Sequence, residues 1–338
     1  MRQVLAQMPN RETYSACWRI NMKAVITATL CVFSVQAVLA QTNHVKTPEQ
    51  SKPFKSSLEV NADAEVGVLS NSALSVQELD DISSQSDSGI KTAAGVDAKW
   101  QLTKGAKLTS SYRFEQQDYD EFDQYDLDLH QYGLDGSYSF NSHELGIRYD
   151  GAKANVDGEP FLHLNQASVY YGHFLNPHTY VRMSIKTKAK RFATAKARNA
   201  DGVGGDVALY HFINNGQTML MAALSADKEN ADDNQYDFNG YGFTTKVTHK
   251  FTAFNMANKV GAGWRYQNKD YDEQTTDDFF EQIPSRDEHR NVINAFYNLA
   301  VFQHVTLIAE AEYGDYQSKL SSNTYTQSVL SASVKVHF

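Results

Sequence analysis

The stretch Ser328-Val-Leu-Ser-Ala-Ser-Val-Lys-Val-His-Phe338 decides the fold. Leu330, Ala332, Val334, Val336 and Phe338 alternate with Ser331, Ser333, Lys335 and His337. A period of two puts one set on each face of an extended strand, so this strand has an apolar face and a polar face. A soluble strand can alternate in the same way, and the rest of the chain has to separate the two readings.

From residue 57 onward the pattern recurs in about fourteen segments, most of them close to the roughly 9–11 residues that a tilted membrane-crossing strand needs. Their spans are 57–69, 89–101, 106–117, 127–140, 143–151, 161–174, 178–191, 201–213, 217–228, 236–251, 257–270, 288–302, 304–316 and 323–338. The connections alternate in length. Leu102-Thr-Lys-Gly105, Asn141-Ser142, Asn176-Pro177, Asn214-Asn-Gly216, Phe254-Asn-Met-Ala257 and Gln303 read as tight turns. The stretches 70–88, 118–126, 152–160, 192–200, 229–235, 271–287 and 317–322 read as longer loops. Short turns at one end and longer loops at the other, with an even strand count, predict an all-β fold: a transmembrane antiparallel up-and-down β-barrel of about 14 strands over residues 57–338.

The bulk numbers agree. The 338 residues are 41% hydrophobic and contain 19 Tyr, 18 Phe, 3 Trp and only 6 Pro, a mix that suits strands. No run of 18 apolar residues is present, so no helix is expected to span a membrane. Met22-Lys23, then the apolar Ala24–Val35, then Val38-Leu39-Ala40 before Gln41 read as a signal peptide over 22–40. A short buried helix is the plainer alternative. Residues 1–40 form the expected presequence, with Met22 as the expected start, and 41–56 a short polar periplasmic leader. Both cysteines, Cys17 and Cys31, precede residue 41, so the mature chain needs no disulfide framework. Without Arg2, Arg11, Arg19, Lys23 and Glu12, the mature chain has 27 basic and 39 acidic residues, a balance of −12. That acidity argues against nucleic acid as a partner.

A charge facing lipid at the bilayer midplane costs roughly 2–4 kcal/mol, which fixes the register of most segments. In 57–69, Leu58, Val60, Ala62, Ala64, Val66 and Val68 face out, while Glu59, Asn61, Asp63 and Glu65 face in. In 178–191, Val181, Met183 and Ile185 face out, while Arg182, Lys186, Lys188 and Lys190 face in. In 257–270, Val260, Ala262, Trp264 and Tyr266 face out, while Lys259, Arg265 and Lys269 face in. In 304–316, Leu307, Ala309, Ala311 and Tyr313 face out, while Glu310 and Glu312 face in. The segment 201–213 is ambiguous. Outward Trp100, Phe114, Phe140, Tyr171, Phe251, Tyr313 and Phe338 lie near strand ends, where an aromatic girdle belongs.

Closing the barrel brings Glu59, Asp63 and Glu65 near Glu310 and Glu312. Arg182, Lys186, Lys188 and Lys190 lie about half-way round, extended by Lys246, Lys250, Lys259, Arg265 and Lys269. Opposed acidic and basic walls would set a field across the lumen. Interior salt bridges filling a closed barrel are the alternative. Fourteen strands fall between filled eight-stranded barrels and open porins, so the expected lumen is narrow or partly plugged.

No metal cluster, phosphate loop, dinucleotide fingerprint or Gly-x-Ser-x-Gly motif stands in a usable setting, so neither an enzyme, a metal nor a cofactor is expected. The acidic loop Asp118–Asp126 lacks the frame of a calcium-binding loop and reads as solvated. Calcium bridging to lipopolysaccharide phosphate is its functional alternative, as it is for Asp270, Asp272, Asp277, Asp278 and Glu281. Gly202-Val-Gly-Gly205 reads as a bulge or a close backbone approach.

The terminal strand resembles the assembly signal of Gram-negative outer-membrane β-barrels, polar-x-Gly-x-x-apolar-x-apolar. Ser331, Val336 and Phe338 fill three of its places, Ser333 replaces the Gly, and Val334 adds to the outward face. The barrel as a whole looks like an outer-membrane barrel of porin type. Arg286-Asp-Glu-His-Arg290, Asn298-Leu-Ala-Val-Phe-Gln-His304 and Val334–Phe338 are in addition similar to the barrel part of surface lipoprotein assembly modifier proteins. That likeness covers roughly the last 55 residues and transfers no functional residue. The family's barrel follows a periplasmic helical-repeat domain, and no such repeats are read here. These resemblances imply outer-membrane lipid, lipopolysaccharide and the barrel assembly machinery as partners. The first expected function is a passive channel for small polar or charged solutes. A protein-export barrel with a separate periplasmic or secreted partner, and a closed structural or adhesive barrel, are the alternatives.

Overall fold

A computed structural model describes residues 54–76, 81–272 and 286–338. The strands are β1 (Ser57–Asn71), β2 (Leu74–Val76), β3 (Asp81–Ser83), β4 (Asp87–Gln101), β5 (Ala106–Tyr119), β6 (Leu127–Phe140), β7 (His143–Val156) and β8 (Glu159–Asn176). They continue with β9 (Thr179–Phe192), β10 (Ala200–Ile213), β11 (Thr218–Ala231), β12 (Phe238–Ala253), β13 (Met256–Tyr271), β14 (Glu288–Phe302), β15 (Val305–Ser318) and β16 (Tyr325–His337). All except β2 and β3 pair antiparallel with their neighbours in a closed barrel, sealed where β1 meets β16. The seam runs in register from Asp63 opposite His337 to Asn71 opposite Val329. Closure leaves none of these strands with a free side along its whole length, which is what allows a sheet to sit in lipid.

Side-chain parity follows the alternation. On β1, Leu58, Val60, Val66 and Val68 are exposed on the outer surface, while Glu65 and Leu69 are buried inside. Ile185 on β9, Trp264 on β13, Leu307 and Tyr313 on β15, and Leu330 and Val334 on β16 are likewise exposed. The ambiguous segment becomes β10, with Val203, Val207 and Leu209 outward and Ala208 and Tyr210 buried inward.

Two features depart from the sequence reading. The stretch 152–160, expected to be a long loop, is mostly strand: β7 runs to Val156 and β8 starts at Glu159. Asp157 and Gly158 take φ of 53° and 71°, the left-handed pair that a two-residue hairpin turn requires. The second departure is the hairpin β2–β3, which lies within the predicted loop 70–88. At the other end of the barrel the turns are short, and Asn214 and Asn215 both sit at φ 52°, a conformation Asn tolerates.

Four of the longer loops share one local device. Each contains a single 3-10 turn, and a side chain just past it accepts the N–H that ends the preceding strand. Asp126 Oδ1 takes Tyr119 N–H at 2.6 Å, Asn199 Oδ1 takes Phe192 N–H at 2.8 Å, Asp237 Oδ1 takes Ala231 N–H at 2.5 Å and Thr324 Oγ1 takes Ser318 N–H at 3.1 Å. Short polar side chains suit this task because they reach backbone donors locally.

Candidate channel lumen

A closed barrel that is apolar outside and charged inside can only be stable with lipid around it and water or ion pairs within it. The chain is a closed fourteen-stranded β-barrel with the apolar outer face of a membrane-spanning one. Most of its interior ion pairs fall into two groups; a further pair, Arg148 with Asp150 at 2.7 Å, lies on β7.

The first group lies at the seam. Arg113 on β5 meets Asp63 at 3.2 Å and Glu65 at 3.0 Å. Lys335 on β16 meets the same carboxylates at 3.3 and 3.1 Å. Glu115 holds Lys91 at 3.6 Å and the Arg113 Nε at 3.7 Å. Ser333 Oγ donates to Glu65 Oε1 at 2.9 Å. Arg113 reaches β1 across β4 because Gly95 stands between them, in register with Asp63 on one side and Arg113 on the other. A Cβ there would lie 3.1 Å from Asp63 Oδ1.

The second group lies on β9 to β14. Lys188 contacts Asp227 at 3.2 Å and Glu229 at 2.8 Å, and Lys190 contacts Glu229 at 3.0 Å. Gly202 is in register with Lys188 and Glu229, and Gly204 with Lys186 and Asp227. The Gly202-Val-Gly-Gly205 cluster thus makes a clear floor over which lysines lie, since a Cβ on Gly202 would meet Lys188 Cε at 2.7 Å. Toward the loop end, Glu288 holds Lys269 at 3.7 Å, Arg286 at 2.9 Å and Arg290 at 2.8 Å. Phe238 lies under the ammoniums of Lys188 and Lys269, at 5.4 and 4.9 Å. A cavity of about 30 Å³ opens among Lys190, Arg198, Tyr236, Phe238 and Arg286.

β1 and β9 stand nearly opposite, with five barrel strands between them one way and seven the other. Sequence parity identified Asp63, Glu65, Lys188 and Lys190, but not the counter-charges Arg113, Lys335, Asp227 and Glu229 that accompany them. Both groups therefore carry their own compensation. Of the remaining predicted residues, Arg182 stacks 4.3 Å above the Tyr170 ring and Lys259 stands 5.2 Å from the Phe296 ring. Arg265 faces in, between Thr244 and Val292. Glu59 accepts from Asn61 Nδ2 at 3.3 Å, and Glu310 from Ser331 Oγ at 3.4 Å. Glu312 lies in register with Asn294 and Val329. Val334 and Val336 face outward, and the ring of Phe338 is 75% exposed on that side.

The loop end of the lumen is narrowed on the β6–β8 side. Leu74, the first residue of β2, is 0% exposed and belongs to one apolar cluster with Leu127, Leu129, Ala152, Ala154 and Leu164. Gln327 Nε2 donates to Ala73 O at 2.6 Å, which pins the same segment to β16.

Among the described residues no group of three or more His, Cys, Asp or Glu side chains could hold a metal ion. In the loop Asp118–Asp126, Asp126 closes its own loop as described above, and Asp87 accepts the Glu121 and Phe122 N–H groups at 3.0 and 3.1 Å. Burial lifts the Asp126 carboxyl above the usual Asp range; the neighbouring Asp118, Asp123 and Asp157 add to the rise and the Tyr119 N–H opposes it. Asp277, Asp278 and Glu281 lie outside the described residues.

In sequence the chain matches no protein-family model and no curated protein. Among solved structures it is similar to an anion-selective porin from Comamonas acidovorans, with 9% identity and a TM-score of 0.47 over 84% of this chain and 100% of that one. It is also similar to outer-membrane expressed OmpT of Vibrio cholerae, with 10% identity and a TM-score of 0.49 over 86% of this chain and 100% of that one. A third is the CymD monoaromatic hydrocarbon channel, with 9% identity and a TM-score of 0.47 over 82% and 88%.

Proposed function

We propose that this barrel is a narrow outer-membrane channel for passive diffusion of small polar or charged solutes, with its short-turn end in the periplasm. The observation that carries the reading is the inner wall itself. It presents charged and amide side chains on strands all round the barrel, and its ions are held in local groups rather than in one knot across the lumen. Charges paired along the wall leave the axis to water and solute. The inward Leu74 hairpin restricts the mouth mainly from the β6–β8 side. The β1 and β9 groups still differ in what surrounds them, and the resulting field would orient polar solutes.

Liposome swelling tests this. Vesicles carrying the refolded protein should swell in isotonic small sugars or amino acids and stay intact in solutes above a size limit. Vesicles that swell no faster than protein-free ones would favour a second reading, a closed structural barrel, which the buried ion groups and the Leu74 cluster support. Lipid and lipopolysaccharide around the outer belt, and the assembly machinery at the terminal strand, complete the proposal.

A further inference from the structure

Lys250 and Lys259 stand directly opposite each other on β12 and β13, both facing the lumen near the short turn at Phe254-Asn255. Like charges in directly opposed positions destabilise a sheet. Lys246 lies two inward positions further along β12, in register with Gly263. Lys246 and Lys259 both lean over one ring: their ammoniums are 5.6 and 5.2 Å from the centre of Phe296. Phe296 lies flat over Gly261, where a Cβ would come within 2.3 Å of the ring. Among the described residues none of these three lysines has a carboxylate within salt-bridge distance, whereas Lys91, Lys188, Lys190 and Lys335 each have one. The fields of Lys246 and Lys250 both reach Lys259, and Glu310 is the carboxylate whose field reaches Lys246.

A second, independent observation sits beside them. Asn298 on β14 is in register with Lys259, and its buried Oδ1 has no hydrogen-bond partner. A buried acceptor left unmatched is costly and calls for a donor.

We propose that Lys246, Lys250, Lys259 and Asn298 form an oxyanion site at the short-turn end of the lumen, and that the anion it fits is inorganic hydrogenphosphate. Ammoniums act as mobile point charges toward phosphate oxygens, whereas planar carboxylates favour the fork of an arginine. The Asn298 acceptor adds discrimination. Hydrogenphosphate has a P–O–H to donate to it, while sulfate and the dianion of a phosphate monoester have no such proton. The proposal rests on the channel reading only for the anion's access, because binding itself requires no conduction.

Titration calorimetry of the refolded barrel in detergent, with inorganic phosphate, sulfate and glycerol phosphate as probes, tests it directly. Phosphate should bind more tightly than the other two. Lys246→Gln, Lys250→Gln and Lys259→Gln combined should weaken phosphate on the order of tenfold or more, as three attractive charges are removed. Asn298→Ala should weaken phosphate about fivefold, the worth of one hydrogen bond, and leave sulfate unchanged. Folding of each variant is verified by its heat-modifiable gel mobility. The site is overturned if folded wild-type protein binds no phosphate, or if the triple variant binds it as well as wild type. Equal binding of all three probes would overturn the role of Asn298. Phosphate binding by a barrel that does not conduct would leave the site standing and remove the channel reading. Chloride conduction without phosphate binding would do the reverse.

Discussion

The ammonium of Lys188 on β9 stands 2.8 Å from Glu229 Oε2 on β11, and at that level the strand between them offers only Gly202. The contact skips a strand, which a sheet allows only where the middle residue has no side chain to obstruct it. The same arrangement recurs at Asp63, Gly95 and Arg113. A first prediction concerns coupling. Gly202→Val places a Cβ where Lys188 Cε lies 2.7 Å away. It should destabilise the barrel by about 1–3 kcal/mol in urea unfolding, the usual cost of overpacking. Lys188→Met should cost less, because Glu229 keeps Lys190 at 3.0 Å. Since both changes break the same contact, the double variant should be no worse than Gly202→Val alone. Simple additivity would show that Gly202 serves some other purpose.

Ion selectivity should follow the two charged sides. Arg182, Lys186 and Lys188 changed together to Gln should move the reversal potential in a salt gradient toward cations. Glu59, Asp63 and Glu65 changed to Gln should move it toward anions, because Lys335 then loses both its carboxylates and Arg113 keeps only Glu115. Both shifts should shrink at about 1 M salt, where the Debye length is about 3 Å. Unchanged potentials at low salt in both variants would mean that these residues do not line the conducting path.

Releasing the inward hairpin should widen the mouth. Leu74→Asp puts a charge into the apolar cluster with Leu127, Leu129 and Leu164. An unpaired buried charge is strongly unfavourable, so the segment should leave its seat. Single-channel conductance should rise while heat-modifiable mobility is retained. An unaltered conductance would show that this hairpin does not set the narrowest point.

Assembly should depend on the outward terminal aromatic more than on its inward neighbour. Phe338 is exposed on the outer face, whereas His337 faces in and shares a hydrogen bond of 3.1 Å with Thr306. Phe338→Ser should lower the amount of protein in the outer membrane far more than His337→Ala. Equal amounts, compared by immunoblot of membrane fractions, would remove the assembly-signal reading.

The acidic loop gives a pH prediction. The folded Asp126 carboxyl is shifted above its unfolded value by burial. Its protonated form is therefore favoured by folding. The contribution is fully present below the unfolded value and is lost as pH rises through the folded one. Stability in urea should therefore fall as pH rises through that folded value, with the Tyr119 amide, which favours the ionised carboxylate, offsetting part of the fall. Asp126→Asn keeps the acceptor, as Asn199 does in its own loop, and should remove the pH dependence. Persistence of the dependence in that variant would assign it elsewhere.

The strand order and the facing of Glu65, Lys188 and Val334 were legible in the sequence because lipid tolerates no charge on the outer face. Alternation along one strand fixes parity and nothing about strands two places away. The meeting of Arg113 with Asp63, and of Lys188 with Glu229, therefore could not be read from it. Adding register from the tight turns could have located both, with Gly95 and Gly202 as the signal. The turn at Asp157-Gly158 was legible in principle, since Asp-Gly between strands is a hairpin signature. The Leu74 hairpin was not, because a short apolar stretch within a loop has no periodicity to mark it.

Planar-bilayer recording of the purified, refolded chain tests the central claim most directly. The account predicts discrete, stable single-channel steps at low salt, of small amplitude because the lumen is narrow, with a nonzero reversal potential in a salt gradient. A folded, heat-modifiable barrel that inserts and yields no conductance steps would contradict it.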